Sequence, residues 1–163
     1  MLARGMLRRP PVMVCLSSEL SLHAGRDGLE CLISGRRVLV PLDEVKRVVE
    51  LDVDMPPPLA STWVSGLGLL DGRIAFAVSL FWQPRRSERR RVLGIELRAT
   101  SRGEVRWVVE VQQVLSRIRG TPTGERADAS HRWLLPAPAT DGEERSWLDV
   151  AAMRAELFRC SDH

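Results

Sequence analysis

The chain has 163 residues, 44% of them hydrophobic, and a formal net charge of +3. That length holds one domain or two small halves around a shared core, and that hydrophobic content excludes a disordered polypeptide. Charge excludes little: Lys46 is the single lysine, arginine supplies the rest of the 24 basic residues, and 21 acidic residues offset them, so the balance alone does not argue for a nucleic-acid ligand.

Residues 1–28 read as a weakly structured lead-in. Its apolar patch, Val12 to Leu16, follows Pro10-Pro11 and is too short for a secretory core. No apolar run approaches the length needed to span a bilayer. Leu29–Ser34 and Arg37–Val40 are short apolar runs around Gly35, a hairpin pattern. Leu42, Val45, Val48 and Val49 then recur at helical spacing behind Pro41, which predicts a short helix. Pro56-Pro57-Pro58 is a stiff connector. Val64–Leu70 and Arg73–Phe81 flank Asp71-Gly72, a two-residue hairpin signal because both positions accept positive φ. Gly66 predicts a close backbone approach inside the first of those strands.

A second β unit is expected from Arg91 to Val111, turning at Ser101–Glu104, with Val105, Trp107, Val109 and Val111 on its buried side. Arg119–Ser130 is rich in Gly, Pro, Thr and charge and reads as a loop. Trp147–Val150 is the last expected strand. Residues 151–163 form a closing helix and tail, with Met153, Leu157 and Phe158 turned inward.

The chain also repeats itself. Eight positions separate Trp63 from Asp71 of Asp71-Gly72, and the same eight separate Trp133 from Asp141 of Asp141-Gly142. Ahead of them Arg37–Val45 aligns with Arg106–Val114, again about seventy residues on. A fixed period of this size indicates one supersecondary unit used twice, and Trp63 and Trp133 should occupy equivalent places.

Motifs for catalysis are missing: there is no GxxxxGK[ST], GxGxxG, GxSxG or HExxH. His23, His131 and His163 lie far apart, and Cys15, Cys31 and Cys160 form no CxxC pattern, so neither an enzyme, a metal nor a cofactor is expected. The cysteines suit a reducing, cytoplasmic compartment. Glu30, Glu44 and Glu50 read as solvated. The conspicuous charge feature is Arg85–Arg91, five arginines and one acid in seven residues. It is a solvated loop on one reading and a phosphate-binding cluster of a nucleic-acid-binding module on the alternative.

Taken in order, Gly35–Val45 and Pro58–Ile74 resemble the CheW-like chemotaxis coupling proteins. That family pairs a Gly-rich hairpin and a "Pro-Leu-x-x-Val" segment with a "Gly-x-x-Asn-Leu-Arg-Gly" hairpin. The similar stretch covers residues 29–118 and weakens toward 155. The resemblance implies a mainly β fold of two SH3-like five-stranded barrels with short helices. It places subdomain 1 at about 29–85 and subdomain 2 at about 91–155 of a single 29–155 domain. It also implies a non-catalytic adaptor coupling receptors to a histidine kinase in a chemosensory pathway, one that controls motility in that family. The partners would be the kinase's regulatory domain and the cytoplasmic tip of a chemoreceptor, with no small-molecule substrate and no membrane insertion.

Carried over by position, the protein-binding residues would be Val45, Arg47, Gly66, Asp71 and Gly72. The chain departs from the family at several of these places. Leu69-Leu70-Asp71-Gly72 stands where Asn-Leu-Arg-Gly is usual, and Phe76 and Ser79 replace a common Pro and Asp. Arg47 is basic where the family is often acidic, and Asp71 acidic where it is usually basic. Such a double reversal predicts that Arg47 and Asp71 face one surface and form a pair.

Overall fold

The computed structural model describes residues 25–56, 63–81, 89–101, 103–122, 132–137 and 141–159. They form ten strands and one helix. The strands are β1 (Arg26–Ile33), β2 (Arg36–Pro41), β3 (Val45–Met55), β4 (Val64–Leu70), β5 (Arg73–Val78), β6 (Arg90–Leu97), β7 (Arg106–Val111), β8 (Gln113–Gly120), β9 (Leu134–Ala137) and β10 (Arg145–Leu148), and the helix is α1 (Val150–Arg159). Turn chemistry sets the hairpins. Asp71 and Gly72 both hold positive φ, 51° and 72°, between β4 and β5, the two-residue geometry that follows strand twist. Gly35, Gly103 and Gly142 likewise adopt positive φ, at 77°, 87° and 78°.

The expected repeat is present as two matched units, β1–β5 and β6–β10. One sheet has the order β8-β1-β2-β10-β9, and the other is a closed barrel of β3-β4-β5-β7-β6. Replacing each strand by its counterpart five places along the chain turns one order into the other. Two parallel ladders make the point residue by residue. Trp147 lies opposite Leu39 between β10 and β2, and Ala77 lies opposite Val108 between β5 and β7. Trp63 and Trp133 touch each other, ring centroids 4.7 Å apart and tilted by 52°. Each also accepts an equivalent backbone hydrogen bond, from Ser79 N at 2.9 Å and Asp149 N at 2.7 Å.

The expected subdomain limits need correction. Residues 29–85 and 91–155 do not each make a barrel, because the units exchange strands: the barrel takes β3–β5 from the first and β6–β7 from the second. Parallel pairing cannot be made by a tight turn and needs a strand from elsewhere in the chain. Ordered structure also begins before residue 29, since β1 starts at Arg26. Residues 1–24, the tail beyond 159, Trp82 and all three histidines lie outside the described residues, and so does the Phe158 side chain.

Among the described residues, one of the two five-stranded sheets closes and the other does not. In the barrel, β3 meets β4 where Val53 opposes Gly68. Gly66 and Gly68 make this possible: a Cβ on Gly66 would lie 2.3 Å from Val53 Cγ1, and one on Gly68 2.2 Å from the Asp52 carbonyl oxygen. In the second unit Pro122 stands in Val53's place and Pro136 in Gly66's. Proline has no N–H for a ladder and a ring that blocks close approach, and among the described residues no β8–β9 pairing forms. The interiors differ to match. Ala75, Ala77, Leu51, Val53 and Val108 fill the barrel, whereas Trp147, at Ala77's place, fills the open sheet. There, Gly28 admits it: a Cβ on Gly28 would meet the indole at 2.8 Å. A larger core between the sheets holds Val38, Val40, Val78, Ile95, Val109, Trp133 and Met153. Helix α1 closes it, capped by Asp149, whose Oδ1 accepts the Ala152 N–H at 3.0 Å.

The helix expected over Leu42–Val49 is absent; those residues are a turn followed by β3. A β-bulge between Val45 and Arg47 shifts the register, so Lys46, Arg47 and Val48 are all exposed before burial resumes at Val49. The bulge turns a period of two into an apparent spacing of three to four. Val105 also departs from expectation. It is 38% exposed while Trp107, Val109 and Val111 are buried.

These contacts rank the glycines. Gly68→Ala drives a methyl into a backbone carbonyl and should cost about 1–3 kcal/mol, read as a lower urea midpoint. Gly72→Val places a Cβ at positive φ with open space around it and should cost about 1–2 kcal/mol. A Gly68→Ala protein that unfolds at the wild-type midpoint would show that the closing strands do not touch there.

Candidate functional site

The residues singled out from sequence fall into two groups. Val45 is buried, facing Leu97 across the β3–β6 ladder, and Gly66 is buried under Val53. Both shape the barrel and present no surface of their own. Arg47, Asp71 and Gly72 are exposed at one end of the barrel, and there the expected pair exists: Arg47 Nη2 donates to Asp71 Oδ2.

That pair belongs to a larger network that sequence reading missed. Glu96 on β6 is 1% exposed. It accepts Arg47 Nε at 2.6 Å and Lys46 Nζ at 3.0 Å. Arg106 on β7 donates to Asp71 at 3.2 Å and to the Leu70 carbonyl at 2.8 Å, its Nε 3.8 Å from Glu96. The bulge in β3 aims Lys46 and Arg47 together at Glu96, and the hairpin turn brings Asp71 to the far side of the same guanidinium.

The open sheet carries the counterpart. Glu30, expected to be solvated, is buried. It faces Leu39 as Glu96 faces Val108. Its partners are Arg145 Nε at 2.8 Å, Ser116 Oγ at 3.0 Å and Arg37 Nη1 at 3.2 Å. Arg145 in turn grips Asp141 with both terminal nitrogens, at 2.6 and 2.7 Å. Each sheet therefore joins a hairpin aspartate of one unit, through arginine, to a buried glutamate of the other. Glu44 pairs with the buried Arg154 of α1 at 3.2 Å, and Glu50 is exposed.

Electrostatics follow from these contacts. Burial pushes the Glu96 carboxyl up, but hydrogen bonds from Arg47 and Lys46 outweigh it and hold it below the ordinary glutamate value. Glu30 behaves alike, burial being overcome by Arg145, Ser116 and Arg37. Arg47 and then Arg106 hold Asp71 low. Burial pushes the Cys31 thiol up to about 12, which leaves it protonated and unreactive. Among the described residues, no group of three or more His, Cys, Asp or Glu side chains gathers where a metal could bind, and no helix is long and apolar enough to cross a membrane. In the arginine cluster, Arg90 is spent on Glu110 at 2.6 Å and Arg91 on Asp52 at 2.8 Å, while residues 85–88 lie outside the described residues.

The charge network adjoins exposed apolar side chains. Leu69 and Ile74 oppose each other on β4 and β5 and are 58% and 53% exposed. Val105 comes next across the β5–β7 ladder, where Ala75 opposes Arg106. A cross-strand row of large apolar groups in solvent, bordered by fixed charges, has the make-up of a protein-contact surface.

No protein-family model matches the chain, and no curated protein sequence matches it. A solved structure does: the scaffolding protein TtCheW from Thermoanaerobacter tengcongensis, with a TM-score of 0.56 and 14% identity, covering 76% of this chain and 88% of that one. The likeness establishes a CheW-like fold.

The lowered carboxyl values fix the sign of a pH effect. Unfolding returns Glu30 and Glu96 to ordinary values near about 4, so the unfolded chain binds more protons as pH falls. Their stabilisation is complete above those values and is lost progressively below them. Urea midpoints should fall between about pH 5 and pH 3, and Glu96→Gln should flatten part of that slope. At neutral pH, Glu96→Ala should cost about 1.5–3 kcal/mol by removing the shared acceptor of Arg47 and Lys46, whereas Asp71→Asn should leave the midpoint close to wild type.

Proposed function

We propose that this chain is a non-catalytic adaptor that couples receptors to a histidine kinase in a chemosensory signalling pathway, with motility as the output. The observation that carries this reading is the fold likeness to a scaffolding protein. The exposed end of the barrel supports it, offering an apolar row beside preformed charges. The proposed partners are the kinase's regulatory domain and a receptor's cytoplasmic tip, met in the cytoplasm without membrane insertion. The proposed contact residues are Arg47, Asp71 and Gly72, held in place by Val45 and Gly66.

Arg47 and Asp71 are the specificity element of this reading. Such exposed charges select partners more than they add affinity, because a like-charged group is rejected and an opposite one steered in. Their reversed order relative to the coupling proteins the sequence resembles should turn the chain toward a charge-matched kinase. Titration calorimetry against the regulatory domain of the host's chemosensory kinase tests this with Arg47→Glu, Asp71→Arg and the double reversal. Each single change is expected to weaken binding well beyond twofold. If both stay within about twofold of wild type, a difference of about 0.4 kcal/mol, this surface is not the interface.

A further inference from the structure

The duplication shows where the open sheet lacks its filling. In the barrel, Leu51 faces Val92 across the β3–β6 ladder and is buried in the interior cluster. Gly120 holds the matching place, opposite Arg26 across the β1–β8 ladder, and brings no side chain. Two residues on, Pro122 stands where the barrel has the buried Val53. The result is a hollow of about 220 Å³ at this end of the open sheet, between the starts of β1 and α1. Its apolar walls are Pro41, Pro122, Leu135, Leu148 and Trp147. Trp147 stands in Ala77's place, and its six-membered ring lies against Gly28. The Cζ2 and Nε1 edge of the indole lies under Gly120, where a Cβ would stand 3.6 and 3.9 Å from those atoms. Trp147 is 1% exposed, and its Nε1 has no hydrogen-bond partner among the described residues. A buried N–H without an acceptor is destabilising, and an oxygen brought to it removes that penalty.

We infer that this hollow is a binding site for a small neutral ring compound bearing a carboxamide. The inference goes beyond the adaptor reading and stands without it. Size sets the ring. An apolar cavity of about 150 Å³ holds one benzene, so this larger hollow holds one ring and a small polar group. The indole N–H selects a carbonyl oxygen at the inner end. Charge selects neutrality. At the rim, Arg26 is paired with Asp43 at 2.8 Å and Glu44 with Arg154 at 3.2 Å, while Asp149 caps α1. These ionic groups already have partners of opposite sign, and a carboxylate ligand would meet Glu44 and Asp149 as like charges. Both side chains still accept hydrogen bonds, which an amide NH₂ supplies and a ketone or ester does not.

Benzamide, toluene and benzoate, titrated into the full chain, separate these contributions. Calorimetry gives the affinities, and the indole N–H signals of the five tryptophans give the place. Trp147→Phe identifies the Trp147 signal by its loss. Benzamide should bind saturably with a Kd of about 1 mM or below and shift that signal more than the others. Toluene and benzoate should bind about tenfold more weakly or not at all, because a site built on hydrogen bonds rejects an analogue that lacks them. Gly120→Leu supplies the barrel's own filling where a Cβ meets only ordinary contacts. It should keep the wild-type circular dichroism and abolish binding. Trp147→Phe should weaken benzamide about tenfold and leave toluene unchanged, a comparison that decides the matter if Gly120→Leu does not fold. No saturable benzamide binding up to about 10 mM, equal shifts of all the indole signals, or undiminished binding to a folded Gly120→Leu protein overturns the site. Toluene or benzoate binding as tightly as benzamide, or equal losses of benzamide and toluene in Trp147→Phe, overturns the carboxamide assignment.

Discussion

Two short parallel ladders, β2 with β10 and β5 with β7, tie the halves of this chain together. Neither sheet is complete without strands from the other half, so the core between the sheets is built by exchange and not by docking two finished barrels. The consequence is mechanical: Trp63 and Trp133, one from each unit, meet face to tilted face at the junction, and the backbone bonds that position them are duplicated. The barrel end with Arg47 and Asp71 owes its rigidity to the same arrangement, because Arg106 reaches it from the second unit while Asp71 and Arg47 come from the first.

Within that shared plan, the two sheets solved the interior problem in opposite ways. Small residues at Gly66, Gly68, Ala75 and Ala77 let the barrel's strands approach until they close. The other sheet keeps its strands apart with Pro122 and Pro136 and fills the gap with Trp147. Prolines on an open edge also discourage pairing with stray strands. The buried acids show the reverse, conservation of a device under changed sequence. Glu30 and Glu96 each sit under cations supplied by neighbouring strands, with a hairpin aspartate beyond.

Much of this was legible in the residues, and the failures have physical causes. Asp71-Gly72 and the Trp-to-Asp spacing announced a hairpin and a repeat because positive φ and a fixed period leave local marks. The Arg47–Asp71 pair could be anticipated from a sign reversal at two places. Strand exchange left no such mark: a repeat of about seventy residues is the same string whether each copy keeps its strands or trades them. The β3 bulge disguised a strand as a helix by pushing Arg47 and Val48 to the same exposed stretch. Glu30 read as an ordinary surface acid and Glu96 drew no notice, because their burial depends on partners that are distant in sequence. Val105 was expected to be buried, and the exposure of Leu69 and Ile74 was not foreseen, for a simpler reason, since alternation tells which residues share a face but not which face is covered.

Strand exchange also sets an order in time. As the chain leaves the ribosome, N-terminal segments are free to fold first. The first strands out, β1 and β2, have no complete sheet to join until β8, β9 and β10 follow. The closed barrel needs only residues 45–111, so it can finish while the C-terminal third is still being made. By this topology the barrel's strands are all present before β8, β9 and β10 have been made, whereas the sheet that holds β1 and β2 is complete only at the end.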